Sequence, residues 1–184
     1  MTALISLPRG AMVVLIGASG AGKTTFAARH FAPSQVLSSD HMRLLVADDP
    51  SDQAATDAAF EALHVLLSLR LAARRLSVVD ATNLERWARE RLLAIARRHD
   101  RAAIAVVLDT PPEVCAARNR LLRPQRQVPV SVVRRHHQRL RRTLDGIADE
   151  GFVAIHTVDG AAQPGDVVVE RDPMDALPVA EGPA

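Results

Sequence analysis

The sequence contains little of what an extracellular or base-stacking protein would need. Its 184 residues include a single cysteine, Cys115, which cannot form an internal disulfide, so a cross-linked secreted scaffold is excluded. Aromatic residues make up only 3%, which disfavours a nucleic-acid surface built on stacked side chains. No apolar run is long enough to cross a membrane, and the apolar first sixteen residues, interrupted by Arg9, predict a strand. We expect a cytoplasmic protein without membrane contacts.

Lysine is almost missing too, and acidic residues are unevenly placed. Among 23 basic side chains the only lysine is Lys23, which marks a position that needs a compact point charge. Residues 159–184 carry a net charge of −5, and no acid lies between Glu113 and Asp145. That run indicates either an anionic partner or a solvated helix surface. It contains nine arginines: Arg118, Arg120, Arg123, Arg126, Arg134, Arg135, Arg139, Arg141 and Arg142.

The chain length and its hydrophobic pattern fit one α/β domain. Short β-branched runs predict strands at 12–16, 36–37, 78–79, 104–108 and 153–155. Between them, helices are predicted at 23–31, 54–75, 85–98, 112–121 and 130–149. This alternation implies a parallel sheet covered by helices, with 167–169 as a candidate edge strand. We expect residues 1–171 to form the domain and residues 172–184 to form a linker or flexible tail.

A phosphate-binding motif follows the first strong strand. Residues 17–24 match the pattern G-x-x-x-x-G-K-[ST] in full. In this motif, backbone N–H groups surround phosphate oxygens, the lysine neutralises the β- and γ-phosphates, and the hydroxyl ligates Mg²⁺. The sequence therefore predicts binding of ATP or another NTP, with Mg²⁺, through Gly17, Ala18, Ser19, Gly20, Ala21, Gly22, Lys23, Thr24 and Thr25.

The motif alone does not distinguish a GTPase, a motor ATPase and a kinase. The guanine-reading sequence N/T-K-x-D needs a second lysine, so ordinary GTPases are excluded. A motor ATPase needs a larger domain or partner subunits. A short chain with an arginine-rich segment late in the sequence is typical of a small kinase whose lid closes on the nucleotide.

Charged residues after the second and third predicted strands are candidates for the acceptor side. Asp40 follows the second strand, and Arg43 lies on the same face if a helix begins there, pairing a carboxylate with a phosphate-binding guanidinium. Asp40 as a helix N-cap is the alternative. Asp80 ends the third strand, where it is placed to assist the metal through water or to orient the loop; Thr82 and Asn83 are candidate caps.

Other residues give weaker signals. His136 and His137 are adjacent on a predicted helix and point apart, which disfavours a shared metal site, and His137 falls on the packing seam. Cys115 is expected in the core. Asp109 precedes Thr110-Pro-Pro and is expected in a turn.

These residues together resemble the kinase module of bacterial polynucleotide kinase-phosphatase, an RNA end-healing enzyme. The resemblance spans approximately residues 13–169 and includes V-L-I-G-A-S-G-A-G-K-T-T-F-A, S-S-D-H-M-R-L-L-V-A-D-D-P-S-D-Q, V-V-D-A-T-N, V-C-A-A-R-N-R and R-Q-V. It implies an adenylate-kinase-like P-loop fold with an arginine-rich lid. It also implies Lys23 and Thr24 on the NTP and Mg²⁺.

The same resemblance assigns roles on the acceptor side and in the lid. Asp40 would be the general base toward a 5′-hydroxyl of RNA or DNA, Arg43 would hold a 3′-phosphate, and Gln53 would belong to the acceptor site. Arg118, with Arg123 or Arg126 from the lid, would clamp the transferring phosphates.

The sequence also departs from this family. The full-length bacterial protein continues into phosphatase and ligase-like domains, so we expect an isolated kinase module or part of a longer parent chain. His41 stands where many relatives have an aromatic residue. Two alternatives stay open: a small-molecule kinase acting on a sugar, nucleoside or antibiotic, and a non-catalytic nucleic-acid-binding module that uses NTP as a switch.

Overall fold

The protein is built on a central parallel sheet. The structure is a computed structural model that describes residues 3–122, 127–160 and 167–172. The strands in these ranges are β1 (Ala3–Leu7), β2 (Met12–Ile16), β3 (Val36–Ser38), β4 (Ser77–Asp80), β5 (Ala103–Leu108), β6 (Ala154–Val158) and β7 (Val167–Arg171). Strands β2 to β6 form the sheet in the spatial order β3-β4-β2-β5-β6, with every neighbouring pair parallel. This confirms the predicted α/β class.

Helices cover both faces of this sheet. The helices are α1 (Lys23–His30), α2 (Ser39–Ala47), α3 (Thr56–Ala72), α4 (Arg86–Arg98), α5 (Pro112–Arg120) and α6 (Val130–Gly146). One core contains side chains of α2, α3 and α4, and the other contains those of α1 and α5 with β1. Strands β2 and β5 are buried along their whole length, as their unbroken apolar composition predicts, and β4 is buried including its terminal Ser77 and Asp80. In these helices there is no segment long and apolar enough to span a membrane.

The first sixteen residues form two strands rather than one, which corrects the expectation of a single strand. A turn at Gly10, with φ +63°, separates β1 from β2; a Cβ there would lie 2.8 Å from the Arg74 carbonyl oxygen. Strand β1 pairs in parallel with β7, so residues 167–169 extend a separate two-stranded sheet and not the edge of the central one. Arg171 fixes this small sheet to the end of α1 by donating to the His30 carbonyl oxygen.

Helix α6 passes from one core to the other across the sheet. Val133 packs in the core that contains α1, whereas Leu140 packs in the core that contains α3 and α4. Val130, the first residue of the helix, is 43% exposed. The helix stops at Gly146, and a 3₁₀ turn replaces its predicted last residues. This crossing brings the middle of α6 close to the strand ends.

A buried ion pair ties α4 to the segment that follows α6. The side chains of Arg89 and Glu150 are each 2% exposed, and Arg89 Nε donates to Glu150 Oε2 at 2.7 Å. Arg89 Nη1 also donates to the Asn83 carbonyl oxygen at 2.8 Å. Thr143 of α6 donates to the Leu84 carbonyl oxygen at 3.1 Å. The segment after β4 is therefore held between two helices.

We expect Arg89→Met to lower the free energy of unfolding by about 3–5 kcal/mol, because Glu150 would be left buried without its cation. Arg91→Met is the matched control, since Arg91 lies on the same helix and pairs with Glu61 at the surface; its cost should not exceed about 1 kcal/mol. Urea unfolding measures both. The double variant Arg89→Met, Glu150→Leu should recover most of the lost stability. Equal losses for Arg89→Met and Arg91→Met would contradict the buried pair.

Candidate nucleotide and acceptor site

The phosphate-binding motif forms the turn between β2 and α1. Strand β2 ends at Ile16 and α1 begins at Lys23. Gly20 and Gly22 have φ values of +81° and +97°, a region that favours glycine. A Cβ at Gly20 would lie 2.5 Å from the Cys115 carbonyl oxygen of α5. Two motif glycines thus meet conformational demands of the loop, and one also meets a close approach from α5.

Lys23 lies buried inside this loop. Its Nζ donates to the Gly17 carbonyl oxygen at 3.0 Å and to the Ala18 carbonyl oxygen at 2.9 Å. Burial lowers the pKa of Lys23, while the nearby carboxylates of Asp80 and Asp40 act in the opposite direction. The predicted phosphate-binding lysine is therefore enclosed by the loop and faces two acids from neighbouring strand ends.

Thr24 and Asp80 meet beside the lysine. The Thr24 hydroxyl donates to Asp80 Oδ2 at 2.8 Å. Asp80 is buried, and burial raises its pKa, although the Thr24 hydrogen bond and the charge of Lys23 oppose this. A hydroxyl and a carboxylate are the oxygen donors that Mg²⁺ prefers, so both side chains fit the predicted cation. Over the described ranges, no group of three His, Cys, Asp or Glu side chains could hold a metal, so phosphate oxygens and water would complete such a site.

The residues after Asp80 connect strands and do not cap a helix. Glu85, not Thr82 or Asn83, occupies the N-cap position of α4. Asn83 has φ +49°, and its side-chain amide donates to the Leu15 carbonyl oxygen at 2.8 Å. The expectation of caps at Thr82 and Asn83 is therefore wrong. The Asn83 side chain instead links the segment after β4 to the end of β2.

Asp40 and Arg43 form an ion pair in the first turns of α2. The helix begins at Ser39 with Ser38 at the N-cap position, so Asp40 is not the cap. Ser38 pairs with Asp80 in the sheet, which brings this helix start to the same edge as the phosphate loop. The Arg43 side chain is only 11% exposed, and its Nε donates to the Pro50 carbonyl oxygen at 2.9 Å, whereas the Asp40 side chain is 51% exposed. The Asp40 carboxylate is thus accessible, and it acts electrostatically on Lys23.

Gln53 lies in the loop that follows Pro50. Its side-chain amide donates to the Ser51 carbonyl oxygen at 3.2 Å, and the residue is exposed. The structure therefore places Gln53 near the segment that Arg43 contacts, with its amide bonded within its own loop.

Arg118 reaches the other side of the phosphate loop. Its Nη1 donates to the Gly160 carbonyl oxygen at 2.8 Å and lies 3.4 Å from the Ala21 carbonyl oxygen. Arg118 also lines a cavity of about 240 Å³ with Thr25, Phe26, Arg29 and other residues. The structure thus brings Arg118 and Thr25 to one cleft beside the loop. The predicted lid residues Arg123 and Arg126 lie outside the described residues, and so does the predicted tail 172–184 apart from its first residue.

Thr110 and His136 contact the phosphate loop, and the sequence did not predict either contact. The Thr110 hydroxyl donates to the Ala21 carbonyl oxygen at 2.8 Å, and His136 Nδ1 of α6 lies 3.1 Å from the Ser19 hydroxyl oxygen. Asp109, which was expected in a turn, forms an ion pair with Arg141 of α6. The signal for His136 was present, because it follows Val133 by three residues and precedes Leu140 by four.

Gly20→Ala should destabilise the protein and weaken nucleotide binding. The αL conformation costs a non-glycine residue about 1–2 kcal/mol, and the approach of the Cys115 carbonyl oxygen adds to this. Gly146→Ala is the control, since nothing lies within 4 Å of a Cβ there and its φ of −128° is open to alanine; it should change stability by no more than about 0.5 kcal/mol. Chemical denaturation and calorimetric titration with ATP measure both effects. Normal stability and affinity in Gly20→Ala would contradict the described loop conformation.

Comparison with solved structures shows a shared fold. A protein assigned as a kinase from Chloroflexus aurantiacus aligns with 15% identity and a TM-score of 0.60, over 81% of this chain and 84% of its own. The Pnkp1/Rnl/Hen1 RNA repair complex contains a chain that aligns with 19% identity and a TM-score of 0.61, over 79% of this chain. This chain spans only 47% of that one. A gluconokinase from Sinorhizobium meliloti aligns with 21% identity and a TM-score of 0.51, over 85% of this chain and 86% of its own.

At the level of sequence, no curated protein matches the chain. A family model described as an AAA domain matches residues 12–147, from β2 to the 3₁₀ turn after α6. This match includes the phosphate loop and the acceptor-side residues described above. The chain therefore belongs to this AAA-domain family of P-loop proteins, and its sheet and helices have the arrangement found in P-loop kinases.

Proposed function

We propose that the protein is a polynucleotide 5′-hydroxyl kinase, which transfers the γ-phosphoryl group of ATP or another NTP to the 5′-hydroxyl of RNA or DNA during RNA repair. The observation that carries this proposal is the pair Asp40 and Arg43 on the first turns of α2. Asp40 has an accessible carboxylate that acts electrostatically on Lys23, and the guanidinium of Arg43 pairs with it; both observations support an acceptor site next to the donor phosphate.

On the donor side, the described residues fit an NTP. Backbone N–H groups of the loop and the ammonium of Lys23 would bind the β- and γ-phosphates, and Arg118 would add positive charge from α5. The cavity lined by Thr25, Phe26 and Arg118 is the space beside the loop that the nucleoside can enter. Thr24 and Asp80 would hold Mg²⁺, which supplies neutralisation of the phosphate charge when bound.

On the acceptor side, Asp40 would accept the proton of the attacking 5′-hydroxyl. The oxygen of this hydroxyl then forms its bond to the γ-phosphorus as the bond to the β-phosphate oxygen breaks. The guanidinium of Arg43, next to Asp40, would bind the neighbouring 3′-phosphate of the acceptor. Orientation of the hydroxyl and capture of its proton are thus the roles of two adjacent side chains.

The arginine-rich segment supports a polyanionic acceptor only in part. Arg139 forms an ion pair with Glu85, and Arg141 with Asp109, so their charges are partly neutralised within the protein. Arg134, Arg135 and Arg142 are exposed on α6 and remain candidates for contact with a nucleic-acid backbone.

The comparisons are compatible with this acceptor but do not select it. The similarity to a chain of the RNA repair complex favours a nucleic acid as acceptor, whereas the similarity to the gluconokinase favours a small hydroxylated molecule. The second acceptor is therefore the alternative that the assay below tests. Under the same proposal, phosphatase and ligase-like domains of a longer parent chain are expected partners.

Asp40→Asn should reduce kcat by about 10²–10⁴-fold with little change in NTP affinity, because the amide keeps the shape of the side chain but cannot take the proton. The assay measures transfer of labelled phosphate from ATP to an oligonucleotide with a 5′-hydroxyl. The same oligonucleotide with a 5′-phosphate should accept none. Gluconate and a nucleoside are tested in parallel, and preference for either would replace the proposed acceptor.

Asp57→Asn is the matched control for this variant. Asp57 is an exposed acid in the first turn of α3, as Asp40 is in α2, so both substitutions remove a favourable charge at a helix start. Asp40→Asn also loses the ion pair with Arg43, so its thermal unfolding should shift somewhat more than that of Asp57→Asn, while only Asp40→Asn loses activity. Equal activities would reduce Asp40 to a role in helix stability.

Arg134→Gln and Arg142→Gln should weaken oligonucleotide binding without changing kcat at saturation. Each true phosphate contact contributes about 0.7 to the slope of log affinity against log salt for a single strand, so each variant should flatten the slope by that amount. Arg86→Gln is the control, since Arg86 is exposed on α4 and pairs with Glu90. Unchanged slopes in both α6 variants would mean that this face is merely solvated.

A further inference from the structure

Helix α6 contacts the phosphate loop through one imidazole. His136 Nδ1 lies 3.1 Å from the Ser19 hydroxyl oxygen and accepts a weaker bond from the Ser19 backbone N–H at 3.4 Å. Ser19 is the third residue of the phosphate-binding motif, and 117 residues separate it from His136. This contact is therefore a tertiary link between the end of the sheet and a helix that crosses it.

The helix fixes the imidazole in this place. Val133 lies one turn before His136 and Leu140 one turn after it, and they are 1% and 0% exposed. Each packs in a different core, on opposite faces of the sheet. His136 consequently cannot leave the loop without a change of its own rotamer or a movement of a helix anchored on both sides.

The surroundings of His136 are cationic, and they keep the imidazole neutral. Burial, followed by the charges of Lys23, Arg139 and Arg135, lowers the pKa of His136 to about 4, while Glu85 acts in the opposite direction. A backbone N–H can only donate, so Nδ1 must be unprotonated and Nε2 carries the proton. A neutral acceptor thus occupies a position where positive charges converge and a loop N–H points outward, which are the properties of an anion site.

We propose that His136 takes the place of a phosphate oxygen at the Ser19 N–H in the free protein, and that bound nucleotide displaces it and receives a hydrogen bond from the protonated imidazole. No covalent bond changes in this exchange, and the proton comes from solvent. The inference rests on the nucleotide-binding half of the proposed function and is independent of the acceptor.

The exchange predicts proton uptake on binding. The triphosphate adds negative charge beside Lys23 and next to the imidazole, so the pKa of His136 rises in the complex. A pKa that is higher in the complex favours binding at low pH, and this advantage disappears as pH rises through the complex value. Between pH 8 and 5 the affinity of the wild type should therefore increase relative to a variant without the imidazole, by at most about tenfold per pH unit for one proton.

Calorimetric titration with Mg²⁺ and the β,γ-imido analogue of ATP tests this at pH 6, in two buffers of different ionisation enthalpy. The heats give the number of protons taken up per nucleotide bound. His136→Asn keeps an acceptor for Ser19 but cannot be protonated, whereas His136→Leu removes both properties. His137→Asn is the matched control on the next position of the same helix. Protonation of the analogue itself is common to all proteins and cancels in the differences.

We expect His137→Asn to take up as many protons as the wild type, and both His136 variants to take up fewer, by up to about one proton, with flatter pH dependence of affinity. His136→Leu should also bind faster or more tightly above pH 7.5, because nothing competes for the Ser19 N–H. Equal uptake in wild type and His136→Asn would overturn the inference while leaving nucleotide binding intact. Absence of binding by the wild type would overturn the nucleotide site itself. Thermal unfolding of each variant identifies any loss due to misfolding.

Discussion

Lys23 is a buried cation at the carboxyl edge of the sheet, and the arrangement of the site follows from the need to compensate its charge. Two loop carbonyl oxygens accept its hydrogen bonds, and the carboxylates of Asp80 and Asp40 oppose the effect of burial on its pKa. These acids come from the ends of two strands, which a parallel sheet brings to one edge. The phosphate loop, Asp80 and Asp40 thus form one electrostatic unit.

Much of this unit could be predicted because it is local in sequence. The phosphate loop is a contiguous motif, and Asp40 and Arg43 meet because three residues of helix separate them. The strand order confirms the predicted parallel sheet, since β-branched runs buried on both faces leave few other arrangements. The hydrophobic pattern therefore predicted the class of the fold, and the local motifs predicted the centre of the candidate site.

The parts that sequence missed depend on contacts between distant segments. The role of Asn83 lies in a bond to the backbone of Leu15, and no pattern around Asn83 encodes that partner. The arginine run looked uniform, but Glu85 and Asp109 from other elements partly neutralise two of its members. His136 was judged against its neighbour in sequence, whereas its partner is Ser19. Charge and helical spacing restrict such partners without selecting them.

The pairing of β1 with β7 has a consequence for the folding of the chain. It joins Ala3 to Val167, so residues 4–166 must be synthesised before β1 can pair with β7. Until then, the side chains of Ile5 and Leu7, which are buried in the folded protein, lack part of the apolar packing that covers them. Contacts between residues so far apart in sequence form late, because the chain loses the entropy of closing the long loop before the new contacts stabilise it. During synthesis, β1 should therefore be among the last strands of this domain to acquire its native protection, and we expect it to be a segment that chaperones bind.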